Sequence, residues 1–462
     1  MSGVDKYGTI ILAFAVMLGS IPLIIQSAHS HRLRRVFNFR KELKKMRAKK
    51  PAKVKQPPLD STLIGYTGRK PIYIANDAKH VFVCGTTGSG KTVALSNFIK
   101  NAVDKEYPAL IIDGKGDTAQ GSILDILQNL KGNRKLYVIN LNNPKQSDKY
   151  NPFKGSSPTM AKDMLINLTD WTEEHYKLNA ERYIQRALQL LEIGKISLSF
   201  QRIIKILNQE NFLTFSRQLL EKRLIDKEQH IENAQIAETS GKISQNSVAR
   251  YSTILESEVG TIFSGNGIDI AEALEEKAII LFILNPLLYP ELSSAFGRLL
   301  LIDAKKAIGR LFQFDIKRTF FILDEINVYA STALTDLINK SRSARVTCML
   351  ATQSLSDLDF ACGDAYKEQI IENCNNYIVM RQNSGVNAEH WANILGTRST
   401  MEVTHQLQQR GLDTHETGYG SARRVREYIY HPDEIKALKT GQAFFLSRDM
   451  GYDSFIKVNK PF

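Results

Sequence analysis

Residues 81–92 read VFVCGTTGSGKT, and residues 93–103 continue as VALSNFIKNAV. A short apolar run ends at Cys84, a glycine-rich turn follows, and the next segment carries apolar residues at helical spacing. This is the phosphate-loop pattern in its strand–loop–helix setting. Gly85, Gly88 and Gly90, with Thr86, Thr87 and Ser89 between them, let backbone N–H groups turn inward around phosphate oxygens at the positive end of a helix. Lys91 is expected to reach the β- and γ-phosphates of ATP, and Thr92 to ligate Mg²⁺.

Hydrolysis needs acids from a second strand end. Residues 318–327, RTFFILDEIN, place four apolar residues before Asp324 and Glu325. A continuous apolar strand suits a parallel sheet covered on both faces, with function at its C-terminal end. Asp324 is expected to hold Mg²⁺ through water, and Glu325 to orient or deprotonate the attacking water. A third buried-type strand, VTCMLATQ (346–353), ends in Gln353, a candidate sensor of the γ-phosphate. Just before it, SRSAR (341–345) offers Arg342 and Arg345, of which Arg342 is favoured as an arginine finger for a neighbouring subunit.

With 462 residues, a prior of ~150 residues per domain allows about three units. Ordinary shares of apolar and charged residues exclude wholesale disorder and fibrous architectures. The four cysteines form no CxxC pair, which argues against a zinc ribbon or a disulfide scaffold and for a reducing compartment. The histidines do not cluster, so no transition-metal site is indicated.

The net charge of +13 is unevenly placed. Residues 1–60 hold 13 Lys/Arg against 3 Asp/Glu, and the remainder holds 48 against 45. The basic pI is therefore weak evidence for nucleic-acid binding by the folded body. Tyr7–Gln26 is a run of twenty uncharged residues, long enough to span roughly 30 Å of hydrocarbon. The basic stretch that follows favours a cytoplasmic flank, so the expectation is a single-pass anchor with the short N-terminus outside and the bulk of the chain cytoplasmic. A cleaved signal peptide would carry its positive charge on the other side. Residues 31–60 read as a basic juxtamembrane linker, whose basic run 32–55 either grips anionic headgroups or touches DNA or a channel partner.

Strand candidates are 71–75, 80–84, 108–113, 136–140, 278–284, 319–323, 346–351, 376–381 and 442–446. Between about 157 and 262 none is convincing; AERYIQRALQLLEIG (180–194) and similar stretches carry helical periodicity instead. The fold expected is α/β, a nucleotide-binding domain over 61–156 and 263–462 with an all-α domain inserted at 157–262, preceded by the N-terminal segment 1–30.

Together these motifs resemble the type IV secretion coupling proteins, the TraD/TraG/TrwB family of conjugation ATPases. GTTGSGKT, Asp113-Gly-Lys-Gly-Asp117 after YPALII, Asn151-Pro152-Phe153, LDE, SRSAR, ATQ and HPDE (431–434) followed by IKALKTGQAFFL occur in the family's order. The resemblance covers about Ile64 to Phe462 and implies a RecA-like NTPase that works as a membrane-anchored homo-hexamer. It implies that ATP hydrolysis moves DNA, or a relaxase–DNA complex, toward a secretion channel, with relaxase and channel components as partners. Arg342 falls on the family's finger position. The family usually has two membrane helices, and this chain offers one. The alternatives are an FtsK/HerA-type DNA translocase and a nucleotide-gated recruitment adaptor that moves no DNA.

Overall fold

The computed structural model describes residues 60–462 apart from 78, 169–170, 172, 264–265, 313–317 and 411–412. The expected span at Tyr7–Gln26 and the basic linker lie outside these residues. Among the described residues, no helix is long and apolar enough to cross a membrane.

Thirteen strands follow in chain order: β1 (Ser61–Thr67), β2 (Lys70–Ala75), β3 (Val81–Cys84), β4 (Ala109–Asp113), β5 (Leu136–Asn140), β6 (Ile279–Ile283), β7 (Thr319–Asp324), β8 (Val346–Thr352), β9 (Asn376–Val379), β10 (Thr397–Arg410), β11 (Asp413–Tyr428), β12 (Gln442–Ser447) and β13 (Tyr452–Val458). Eleven form one sheet in the order β2-β1-β13-β12-β9-β3-β8-β7-β4-β6-β5. From β9 to β5 every pairing is parallel, and from β9 outward through β12, β13, β1 and β2 every pairing is antiparallel. All nine strand candidates read from the sequence are present. Their order in space is not their order in the chain, which brings the ends of β3, β4, β7 and β8 side by side.

The parallel strands are apolar throughout because both faces are covered. Val81 and Val83 of β3, Ile111 of β4, Ile322 of β7 and Met349 of β8 share a core with Leu95, Phe98 and Ile99 of the helix α1 (Lys91–Asp104). On the alternate face Trp391, fully buried, lies 5.7 Å from the Phe82 ring and 6.1 Å from the Tyr377 ring. Cys84, Cys348 and Cys374 are buried in this interior as free thiols.

Between Pro158 and Phe263 the described residues form helical elements and no strand. This stretch leaves the sheet after β5 and returns before β6, which are parallel neighbours. Its two roots are stitched together: Ile268 N–H donates to the Lys149 carbonyl at 2.9 Å, and Asn151 N–H donates to the Ile268 carbonyl at 2.8 Å. Lys306, buried on the long helix Pro290–Leu311, donates to the Pro152 carbonyl at 2.7 Å and pairs with Asp303 at 2.8 Å. Asp303 also accepts from the Tyr150 hydroxyl at 2.7 Å. A buried ion pair is worth its desolvation only when its remaining donors and acceptors are satisfied, and here the ammonium reaches a backbone carbonyl as well.

Residues 392–431 belong to a compact unit of their own. Within it β10 and β11 form a long antiparallel ribbon from Thr397↔Tyr428 to Arg410↔Asp413, with one register irregularity between His405 and Leu407. The sequence reading placed no strand here.

Candidate functional site

Parallel strands deliver their C-terminal ends to one edge of the sheet, and the candidate residues collect there. In the pairing of β3 with β8, Cys84 stands opposite Thr352, so Gly85 and Gln353 leave the sheet together. In the pairing of β4 with β7, Asp113 stands opposite Asp324.

The loop 85–90 is held by its own backbone and by its neighbours. Gly85 N–H donates to the Thr352 carbonyl (3.3 Å), Thr86 N–H to the Arg381 carbonyl (3.0 Å) and Ser89 N–H to the Thr86 carbonyl (3.0 Å). Gly85 has no room for a side chain, since a Cβ there would lie 2.6 Å from both Met380 Cβ and Ser89 Oγ. Gly90 has φ +110° and caps α1 without any side-chain bond, and the first turn of that helix carries no acid. The amides at the start of α1 are left open to an anion by this arrangement. Thr92, the second residue of α1, is half-buried beside them.

Lys91 is buried and donates to the Gly85 carbonyl at 2.8 Å. Its ammonium also lies 3.5 Å from Glu325 Oε1. Gln353 bridges the two halves of the site. Its amide nitrogen donates to Glu325 Oε1 (3.2 Å), and its amide oxygen accepts from the Thr87 hydroxyl (3.0 Å). Thus Thr87, Lys91, Glu325 and Gln353, drawn from three separate motifs, form one connected group.

Glu325 sits in the left-handed backbone region at φ +47°, unusual for a side chain of this size. The turn lets consecutive residues serve the site from different directions. Asp324 continues the strand, and its carboxylate accepts the Glu325 N–H at 3.0 Å. The close passage of β4 explains Gly114: a Cβ there would meet the Asp324 and Glu325 carbonyl oxygens at 2.8 and 2.9 Å.

Three buried carboxyl groups, Asp113, Asp324 and Glu325, therefore share the neighbourhood of one lysine. Burial pushes the Asp324 carboxyl up to about 7, with the charges of Glu325 and Asp113 adding to the rise. Asp113 is raised to about 6, mainly by burial, although the Lys115 and Gly116 N–H groups donate to it. Such an excess of buried negative charge fits a divalent cation. A magnesium ion characteristically takes one or two carboxylates with phosphate and water oxygens. The sequence reading quoted Asp113 within a motif but gave it no place in the site. Its pairing with Asp324 depends on strand order, for which the sequence carries no local signal.

Arg342 does not join this group. It is exposed and opens a short 3₁₀ turn, Arg342–Ala344, ahead of β8. Gln353 lies beyond the other end of that seven-residue strand. At about 3.3 Å per residue, Arg342 stands roughly 20 Å from the phosphate loop of its own chain.

Residues 318–440 match the family described as the TraM recognition site of TraD and TraG, and residues 63–282 match the central domain of helicase HerA. The fold is that of the bacterial conjugative coupling protein TrwB, at TM-score 0.61 and 16% identity over 91% of each chain. A TrwB structure in complex with ADP and Mg²⁺ superposes at TM-score 0.60 and 16% identity, covering 91% of this chain and 92% of that one. VirB4 of Thermoanaerobacter pseudethanolicus is similar at TM-score 0.56 and 11% identity, over 87% of this chain and 97% of that one. An uncharacterized protein of Mycoplasma pneumoniae is 44% identical over 39 residues, which span 8% of this chain and about a third (32%) of that relative.

Proposed function

We propose that this chain is a coupling protein of the TraD/TraG/TrwB group, an ATPase that drives DNA or a relaxase–DNA complex into a type IV secretion channel, a reading that the match of residues 318–440 and the fold support. The observation that carries the reading is the convergence of Lys91, Glu325 and Gln353 at one sheet edge beside a phosphate loop. ATP enters with its phosphates on the amides of residues 85–92, and Thr92 and, through water, Asp324 would hold Mg²⁺, which would supply neutralisation of phosphate charge. Glu325 takes the proton of the attacking water, and its present contact with Lys91 is exchanged for one between Lys91 and phosphate. Gln353 reads the γ-phosphate through Thr87 and Glu325 and passes its loss into β8.

A neighbouring copy supplies Arg342, which its distance from its own site supports, and the working form is a homo-hexamer. Residues 7–26 anchor the chain once in the inner membrane, with the described residues on the cytoplasmic side. Residues 157–262 act as an all-α domain toward the substrate, and the segment 318–440 meets a partner of the TraM kind. DNA is gripped through phosphate contacts, so binding weakens steeply with salt. The match of residues 63–282 to HerA supports a second reading, a HerA-type translocase acting on cellular DNA.

The test measures ATP turnover with and without DNA, and plasmid transfer in cells. DNA should raise turnover, and Lys91→Ala should abolish both turnover and transfer. Turnover indifferent to DNA would refute the motor. Intact transfer with defective chromosome segregation would favour the second reading.

A further inference from the structure

The phosphate loop is gripped from outside by a stretch some 350 residues later in the chain. The Thr440 hydroxyl donates to the Gly88 carbonyl at 3.0 Å, and Gly441 N–H donates to the Ser89 carbonyl at 2.8 Å. These two residues form the turn between the helix Pro432–Lys436 and β12. The turn is fixed independently of the loop. Gln442 N–H donates to the Lys439 carbonyl at 3.0 Å, the Gln442 side chain accepts from Lys439 N–H at 2.9 Å, and Val458 N–H of β13 donates to the Gly441 carbonyl at 2.9 Å. Contact between turn and loop is glycine on glycine: Gly441 has φ +76°, and a Cβ on Gly90 would lie 3.3 Å from the Gly441 nitrogen.

A trans peptide points its C=O and its N–H in opposite directions. With the Ser89 carbonyl aimed at the turn, the N–H of Gly90 is turned away from it, at the head of α1 where amides have no helical partner. The Gly88 carbonyl, held by Thr440, fixes the next peptide back, whose Ser89 N–H closes the loop on the Thr86 carbonyl at 3.0 Å. Either carbonyl, if released, could rotate its oxygen toward a bound phosphate, where like partial charges repel.

We propose that the Thr440–Gly441 turn is a positioning element of the nucleotide site, holding the Gly88 and Ser89 carbonyls outward so that the loop is preset for phosphate. This rests on the nucleotide-binding reading above. Thr440 touches no reacting atom; it acts through the loop backbone, and it is exposed, so its replacement leaves the core intact.

The experiment uses the full chain and Mg·ATP as the probe, comparing Thr440→Val, which removes the hydroxyl donor at nearly constant shape, with Thr440→Ser, which keeps it. A single hydrogen bond of ordinary net worth predicts a roughly three- to ten-fold rise in Kd and KM for Thr440→Val. The value of kcat and the melting temperature of the unliganded protein should stay unchanged, and Thr440→Ser should bind as the parent does. Equal Kd for parent and Thr440→Val overturns the proposal, as does equal weakening in both variants. Lys91→Ala separates the two levels: if it loses ATP while Thr440→Val does not, only the positioning role falls, and if the parent itself binds no ATP, both fall.

Discussion

Neutralising Asp324 should make the metal-free protein less sensitive to alkali. The Asp324 carboxyl rises from an ordinary 3.8 to about 7 on folding, chiefly through burial. A raised native pKa means that the folded chain keeps a proton which the unfolded chain gives up, so stability falls as pH climbs between those two values and levels off above the higher one. Between pH 5 and pH 8 this linkage removes about 3 kcal/mol from one carboxyl, and Asp113, raised to about 6, acts in the same direction. Asp324→Asn preserves the acceptor for the Glu325 N–H and abolishes its own share. Urea denaturation in EDTA, followed by the fluorescence of Trp391 beneath β3, compares parent and variant at both pH values. The parent should lose about 3 kcal/mol more than the variant over that interval. Mg·ATP at pH 8 should stabilise the parent more than the variant, which keeps the phosphate loop and Thr92 but lacks this carboxylate. Parallel losses in the two proteins would refute the idea that this carboxyl is charged against its surroundings.

Two other outcomes follow from the geometry. Mixing Arg342→Ala with Lys91→Ala, each inactive alone, should recover part of the ATPase activity, because an intact phosphate loop on one copy then faces an intact arginine on the next; absence of recovery at every ratio argues against a finger shared between copies. Gly116→Ala should be strongly destabilising, by about 2–4 kcal/mol in a urea titration, because its φ is +74° and a Cβ would meet the Leu284 carbonyl oxygen at 2.2 Å. A shift within error would show that the loop after β4 yields easily.

The parts of the fold legible in the sequence were those with a local signal. Strands β3, β4, β6, β7 and β8 are unbroken apolar runs because a doubly covered parallel sheet asks for nothing else. The helical stretch announced itself by periodicity. β13 escaped because YDSFIKV alternates buried and exposed residues at the antiparallel end of the sheet, leaving no apolar run to notice. The ribbon of β10 and β11 escaped for a related reason: TRSTMEVTHQLQQR is polar along most of its length, with its pairing supplied by the partner arm. In the site, the loop, the acid pair and Gln353 were readable one by one. That Gln353 bonds both Thr87 and Glu325 was not, since it follows from β8 lying between β3 and β7. Asp113 and the Thr440–Gly441 turn were hidden similarly, each acting through a neighbour remote in the chain.

The stitched roots of the helical stretch have a mechanical meaning. Where residues 149–151 and 268 run side by side, outgoing and returning chains are no farther apart than adjacent strands, about 4.8 Å. Among the described residues, the helical stretch meets the sheet through β5, β6 and the lysine clamp beneath them, at the margin farthest from the antiparallel strands, and meets the long helix Pro290–Leu311 through Phe263, 5.6 Å from the Phe296 ring. Cutting it out and joining the stubs with a few small residues would leave every rung of the ladder paired, while uncovering the Phe153 ring that now rests on Phe200.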